Sequence, residues 1–189
     1  MTTNFTRAAG FVLVFVGTLM ITAMAETKEL KWTHSGWFVA TEIDINKDGR
    51  RADSGTSEGT GTFGKFTVNS QSETDPVPLG KVGSCAADSL EFKYTAFTTV
   101  IRFQNGDLLF ERLDPNKQSI VCFNSVNFNG TYIINKLILG GTGRFEGAVG
   151  RTTATGKFIT LAGDDVRITH GASMGSSEGE IFLSNVSND

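Results

Sequence analysis

Proline, histidine and cysteine are scarce in this 189-residue chain, with three, two and two residues. Neither Cys-x-x-Cys nor paired-histidine spacing occurs, so the ordinary zinc frameworks are excluded and no metal site is expected. Basic residues form no block: 17 Lys and Arg are interspersed with 20 Asp and Glu, for a net charge of −3. That balance disfavours a nucleic-acid or anionic-membrane partner. No ten-residue window combines amphipathic helical spacing with caps, and nothing calls for a cofactor. What is abundant is glycine (22) and phenylalanine (15), a composition that suits a β-barrel or sandwich better than a disordered chain.

The first 25 residues read as a signal peptide. Arg7 supplies the positive region, Ala8 to Ala23 is apolar and uncharged, and Ala23-Met24-Ala25 is a small-x-small cleavage site. The apolar run is shorter than the roughly 20 residues of a membrane span, so no stable membrane anchor is expected after cleavage. The expected remainder, 26–189, suits a single domain; losing Arg7 takes the charge from −3 to −4. Cys85 and Cys122 both lie in it, and in an oxidising compartment one disulfide is the default, the alternative being two buried thiols. The bridge would stabilise the fold by roughly 3–4 kcal/mol.

Thr33 to Ile45 alternates with period two, Trp37, Val39, Thr41 and Ile43 on one parity and His34, Gly36, Phe38 and Ala40 on the other, which predicts a strand. Asp44 to Gly49 matches half a calcium loop, but the closing acid would fall at Gly55, so a hairpin loop is expected. Residues 50–58 read as a polar loop rim. Gly59 to Phe66 fits Gly-x4-Gly-Lys, yet Phe66 has no hydroxyl for magnesium and no helix follows, so the phosphate-loop reading fails. Ser70 to Ser84 reads as a long loop over a barrel mouth or a solvated connector. In Leu90 to Gln104 the apolar parity switches near Ala96, predicting a bulge or barrel corner. Asn105-Gly106 is the strongest hairpin signal. Further strands are expected over 108–113, 119–123, 131–139, 152–161, 165–170 and 178–183. Eight or nine short strands make an all-β protein.

Leu137 to Gly150 organises the rest: three apolar residues run into Gly140-Gly141-Thr142-Gly143, then Phe145, Gly147, Ala148 and Gly150. Glycine permits tight reversal and close backbone approach, so a strand, a turn and a second strand are expected. The large Phe145 among small residues fits a tapering interior. The segment Gly140 to Gly150 resembles the central motif shared by plant dirigent proteins and the allene oxide cyclase barrel family. The resemblance implies an eight-stranded antiparallel, calycin-like β-barrel with an apolar cavity; from periodicity alone, a β-sandwich competes. The catalytic residues of neither family fall on matching motifs here, so no activity is carried over.

His34 and His170 are the available neutral-pH proton shuttles, and a lone strand histidine is more often a packing or surface residue. Glu42, Glu91, Arg102, Glu111, Arg112 and Lys136 occur in predicted strands, and most are expected on the solvent face. Arg102 and Glu111 flank the Asn105-Gly106 turn, which predicts a cross-strand ion pair and, if inward-facing, a perturbed site. Tyr94 and Tyr132 could add hydroxyls to the same cavity. Arg144 and Glu146 are expected at the surface. Asn129 and Asn185 fit glycosylation sequons, the first equally explained as a turn residue.

These features predict an exported β-barrel that binds a small apolar or amphipathic molecule. A barrel cyclase or isomerase, permitted by the resemblance, is the alternative. A third reading is an interaction protein whose barrel is filled by its own phenylalanines. Oligomeric state is not encoded legibly.

Overall fold

A computed structural model describes residues 26–41, 44, 52–75, 77–79, 85–164 and 167–184. The predicted leader, most of the calcium-like loop, Glu42 and the Asn185 sequon lie outside these residues. Nine antiparallel strands form one sheet: β1 (Glu26–Ala40), β2 (Ala52–Gly61), β3 (Gly64–Thr74), β4 (Leu90–Phe103), β5 (Leu108–Leu113), β6 (Ile120–Asn124), β7 (Asn129–Gly141), β8 (Val149–Asp164) and β9 (Arg167–Leu183). Neighbours run β3-β2-β1-β9-β8-β7-β5-β4, and β3 pairs back onto β4, so the sheet closes. The eight-stranded antiparallel barrel is therefore the fold, and the sandwich alternative is overturned.

The ninth strand needs no ninth position. β5 pairs one end of β4 and β7, at residues 98–102 and 136–141, and β6 pairs their other ends, at 90–93 and 129–133. Together they act as one strand interrupted at Asp114-Pro115-Asn116. The Asp114 carboxylate accepts the Asn116 amide at 2.9 Å, an Asx turn that proline's fixed φ supports. Asn135 of β7 spans the gap: its carbonyl accepts the Asp114 amide, and its own amide donates to Ser119 Oγ at 2.8 Å. The ladder is thus satisfied across the break.

Several sequence expectations are corrected. Residues 52–58 belong to β2 and residues 70–74 to β3, not to loops. Their inward positions include Asp53, Gly55, Ser57, Ser70 and Ser72, so a strand facing a cavity carries no apolar alternation to read. β9 is one continuous strand rather than two. Gly130 lies within β7, and the preceding turn is made by Asn124, whose side chain accepts the Val126 amide at 2.9 Å. The parity switch in β4 is present: the register with β3 slips between Glu73 and Thr74, leaving Thr95 unpaired, and inward positions pass from Phe92 and Tyr94 to Phe97, Thr99 and Ile101.

The glycine-rich motif is not a tight reversal. It is a seven-residue connection, 142–148, with one 3-10 turn over Gly143–Phe145. Gly143 and Gly147 adopt φ +58° and +67°, values costly for a side-chain-bearing residue. This turns Phe145 inward, where it is fully buried against Phe103 at 4.8 Å and Phe63 at 5.1 Å between ring centroids. With Leu30, Phe66, Ile138 and Ile181 these rings plug one end of the barrel. Arg144 lies outside the plug, its guanidinium about 5 Å from the Phe63, Phe103 and Phe145 centroids and 3.0 Å from Asp107. The cation covers the ring faces that would otherwise meet water.

Candidate functional site

Above the plug the barrel is hollow. A cavity of about 420 Å³ opens at the opposite end, within the size range of small-molecule sites. Phe92, Phe97, Phe123 and Phe158 contribute aromatic wall, with Tyr94 and Tyr132 deeper. Phe123 and Phe158 stack nearly parallel at 6.3 Å, and Phe38 meets Phe158 edge-on. Glycines make room for these rings. A side chain at Gly130 would collide with Phe158, and one at Gly171 with Phe38. Glycine and phenylalanine are thus linked here: the Phe38, Phe66 and Phe158 rings each lie across a strand where a Cβ is missing.

A polar belt separates cavity from plug, drawn from six strands. It comprises Thr99 (β4), Glu111 (β5), Lys136 (β7), Thr152 (β8), Ser177 (β9) and His34 (β1), all lining the cavity except Thr152. Thr99 lies directly opposite Glu111 and Lys136 opposite Thr152. The remaining neighbours are offset by two residues along the tilted ladder, as barrel stagger requires. Glu111 is fully satisfied: Lys136 Nζ donates at 2.5 Å, Thr99 Oγ1 at 2.9 Å and Thr152 Oγ1 at 2.7 Å. Lys136 also stands 5.8 Å from the Trp32 ring centroid. Both charges are almost wholly buried. Such a pair offsets its desolvation only when its hydrogen bonds are complete, and for Glu111 they are.

Two belt atoms are different. His34 Nδ1 and Ser177 Oγ are buried and have no hydrogen-bond partner. Burial and the Lys136 charge push the His34 pKa down to about 4, against an opposing pull from Glu111, so the imidazole is neutral at physiological pH. Nearer the mouth, burial raises the Asp53 pKa to about 6. Burial also pushes Tyr132 up to about 12. Tyr94 is raised further by burial, then by Asp53 and Tyr132. Both phenols are protonated, neutral donors.

Of the residues singled out in the sequence, Tyr94, Tyr132 and Glu111 reach the cavity wall, whereas Arg102 is exposed on the outer face. The expected Arg102–Glu111 pair is absent. The hairpin register sets Arg102 opposite Leu108 and Glu111 opposite Thr99, so the two side chains project from opposite faces. Glu111 pairs with Lys136 instead. Glu91, Glu111 and Lys136 are buried, contrary to the expected solvent-facing positions, while Arg112 is exposed. Glu91 is the outward-facing exception. Beside it lie Leu79, whose amide donates to the Glu91 carbonyl at 2.8 Å, and Cys85, whose Sγ is 3.5 Å from a Glu91 carboxylate oxygen. Cys85 and Cys122 form a disulfide that ties the segment beginning at Cys85 to β6. His34 and His170 do not meet, because His170 is exposed. Among the described residues, no group of three His, Cys, Asp or Glu side chains could hold a metal ion.

Sequence reasoning missed Asp53, Ser177 and the inward turn of Lys136. The first two lie in strands without apolar alternation, and Lys136 is recognisable as inward only from its parity with Tyr132, Ile134 and Ile138.

No protein-family profile matches the chain, and no curated protein does. Among solved structures it is similar to the pterocarpan synthase dirigent protein GePTS1, at 12% identity and a TM-score of 0.43, with 92% of this chain and 100% of that one covered. That likeness is too distant to carry chemistry across.

Proposed function

We propose that this protein is an exported barrel that binds one small, mainly apolar molecule in its cavity, with any polar end directed inward. The carrying observation is the cavity itself: about 420 Å³, open at one end, closed by a phenylalanine plug at the other, with aromatic walls. Export is supported by the leader-like N-terminus and by a disulfide, which persists in oxidising compartments. Burial of apolar ligand surface in a preformed pocket supplies the binding energy. The test is native mass spectrometry of protein purified gently from its own source, with extraction of any bound compound. A stoichiometric apolar or amphipathic ligand is the expected result. A protein that arrives empty and takes up no apolar fluorescent probe would overturn the reading.

A proton-transferring cyclase or isomerase is the second reading, favoured by one observation. Asp53, with its pKa near 6, lines the same cavity as Tyr94 and Tyr132 and interacts electrostatically with Tyr94. A carboxyl group that keeps its proton close to neutral pH is suited to general-acid work. Turnover of the extracted ligand, lost in Asp53→Asn with binding retained, would establish it.

A further inference from the structure

The cavity floor has more definite chemistry than its walls. Ser177 is 2% exposed, lines the cavity, and its hydroxyl oxygen has no partner. The same holds for His34 Nδ1, one strand away: Ser177 lies opposite Trp32, and His34 opposite Gly175, two residues further along each strand. A buried polar group without a partner costs stability, and here two such groups face one space. The pair sits beside a charge that is already compensated, because Glu111 holds Lys136. An incoming carboxylate would find no unpaired cation, and an incoming ammonium no unpaired anion.

We propose that the floor is a recognition subsite for one neutral hydroxyl group at the leading end of the ligand, held between Ser177 Oγ and His34 Nδ1. This rests on the binding function proposed above. A hydroxyl both donates and accepts, so it complements a serine hydroxyl and a neutral imidazole nitrogen in either tautomer. A carbonyl only accepts, and satisfies both partners only if both donate. The preferred ligand is therefore an apolar alcohol or phenol that enters oxygen first, with its hydrocarbon body against the Phe97, Phe123 and Phe158 rings.

The experiment is calorimetric titration of the purified protein with 2-naphthol, 2-methylnaphthalene and 2-naphthoate, which differ mainly in the polar group. The hydroxyl compound is expected to bind about tenfold more tightly than the hydrocarbon, the worth of one or two hydrogen bonds to groups otherwise unpaired. Ser177→Ala, which removes an atom with no partner in the fold, should erase most of that preference and leave 2-methylnaphthalene binding unchanged. His34→Leu should act in the same direction and serves as the second variant. Equal affinity for naphthol and hydrocarbon, or a preference that survives in both variants, would mean that the floor holds only water and would overturn the subsite. Tightest binding by 2-naphthoate would overturn its neutrality. Failure of all three compounds to bind would instead count against the binding function itself, and the subsite would fall with it.

Discussion

Tyr132 and His34 lie in one hydrogen-bonded row across three strand pairings, with only Gly156 and Gly175 between them. Neither glycine has a side chain, so the tyrosine ring lies across both, and its hydroxyl occupies the space that a Cβ at either position would need. The row brings the tyrosine from β7 towards the histidine on β1 and so sets the depth of the cavity at that side.

Gly156→Ala is therefore expected to destabilise the barrel by roughly 1–3 kcal/mol through overpacking, read as a lower urea midpoint. Combined with Tyr132→Ala, the loss should be smaller than the sum of the two single effects, because both act on one space. Full additivity would show that Tyr132 does not rest on Gly156.

Stability should carry two opposing pH dependences. The His34 pKa falls from 6.5 to about 4 on folding, so between these values the unfolded chain takes up a proton that the barrel refuses. The contribution of neutral His34 is complete above pH 6.5 and is lost as pH falls towards 4. Asp53 rises from 3.8 to about 6, so its contribution is complete below pH 3.8 and is lost as pH rises through 6. The two slopes nearly cancel between pH 4 and 6. His34→Leu should unmask a stability that declines with rising pH, and Asp53→Asn one that increases, each by roughly 1–3 kcal/mol over the window. Urea unfolding of both variants at pH 4, 5, 6 and 7 reads the signs directly; identical pH profiles for both variants and the parent would refute the assignment.

Glu111→Gln leaves the Lys136 charge buried without its counter-ion, and a loss of about 3–5 kcal/mol is expected. Glu111→Leu with Lys136→Met removes both charges and should recover part of it, although Thr99 and Thr152 then lose their acceptor. Denaturant curves for the single and double variants give the coupling. A double variant no more stable than the worse single one would show that the threonine bonds, not the ion pair, matter most.

Breaking the Cys85–Cys122 bridge as a double alanine variant opens a link between residues 37 apart in sequence, at an expected cost of about 3–4 kcal/mol on the chain-entropy model. The loss should be largest at the mouth. Hydrogen exchange is expected to quicken in β6 and in residues 85–91, and to change little around Phe103 and Phe145.

Much of the barrel was legible because its outer face meets water and its plug is apolar. Leu90 to Phe103 shows both alternation and the slip at its bulge, and Asn105-Gly106 marks its hairpin. β2 was not legible. Asp53, Gly55 and Ser57 point into a cavity, and a hollow interior imposes no hydrophobic pattern on the strand that lines it. The Arg102 and Glu111 expectation failed for a related reason. Distance from a turn does not fix which face a residue occupies, and the actual register differs by three positions, an odd number that reverses the face. The Glu111–Lys136 bond depends on how β5 meets β7 across a bulge between Phe110 and Glu111, a long-range fact that no local pattern contains. The glycine motif revealed its importance but not its shape, since a plug-forming connection and a tight hairpin ask for the same residues.

The interrupted strand has a consequence for how such a protein can change. Circumference in a closed sheet is set by the number of strand positions and their stagger, so insertions within most strands would disturb the whole ring. The break at Asp114 to Ser119 divides one position into β5, which belongs to the plugged end, and β6, which belongs to the mouth. Length and register can drift at that seam while the plug keeps its dimensions. Selection for a new ligand could then remodel β6 and the Cys85 segment bridged to it, leaving the foundation of the barrel as inherited.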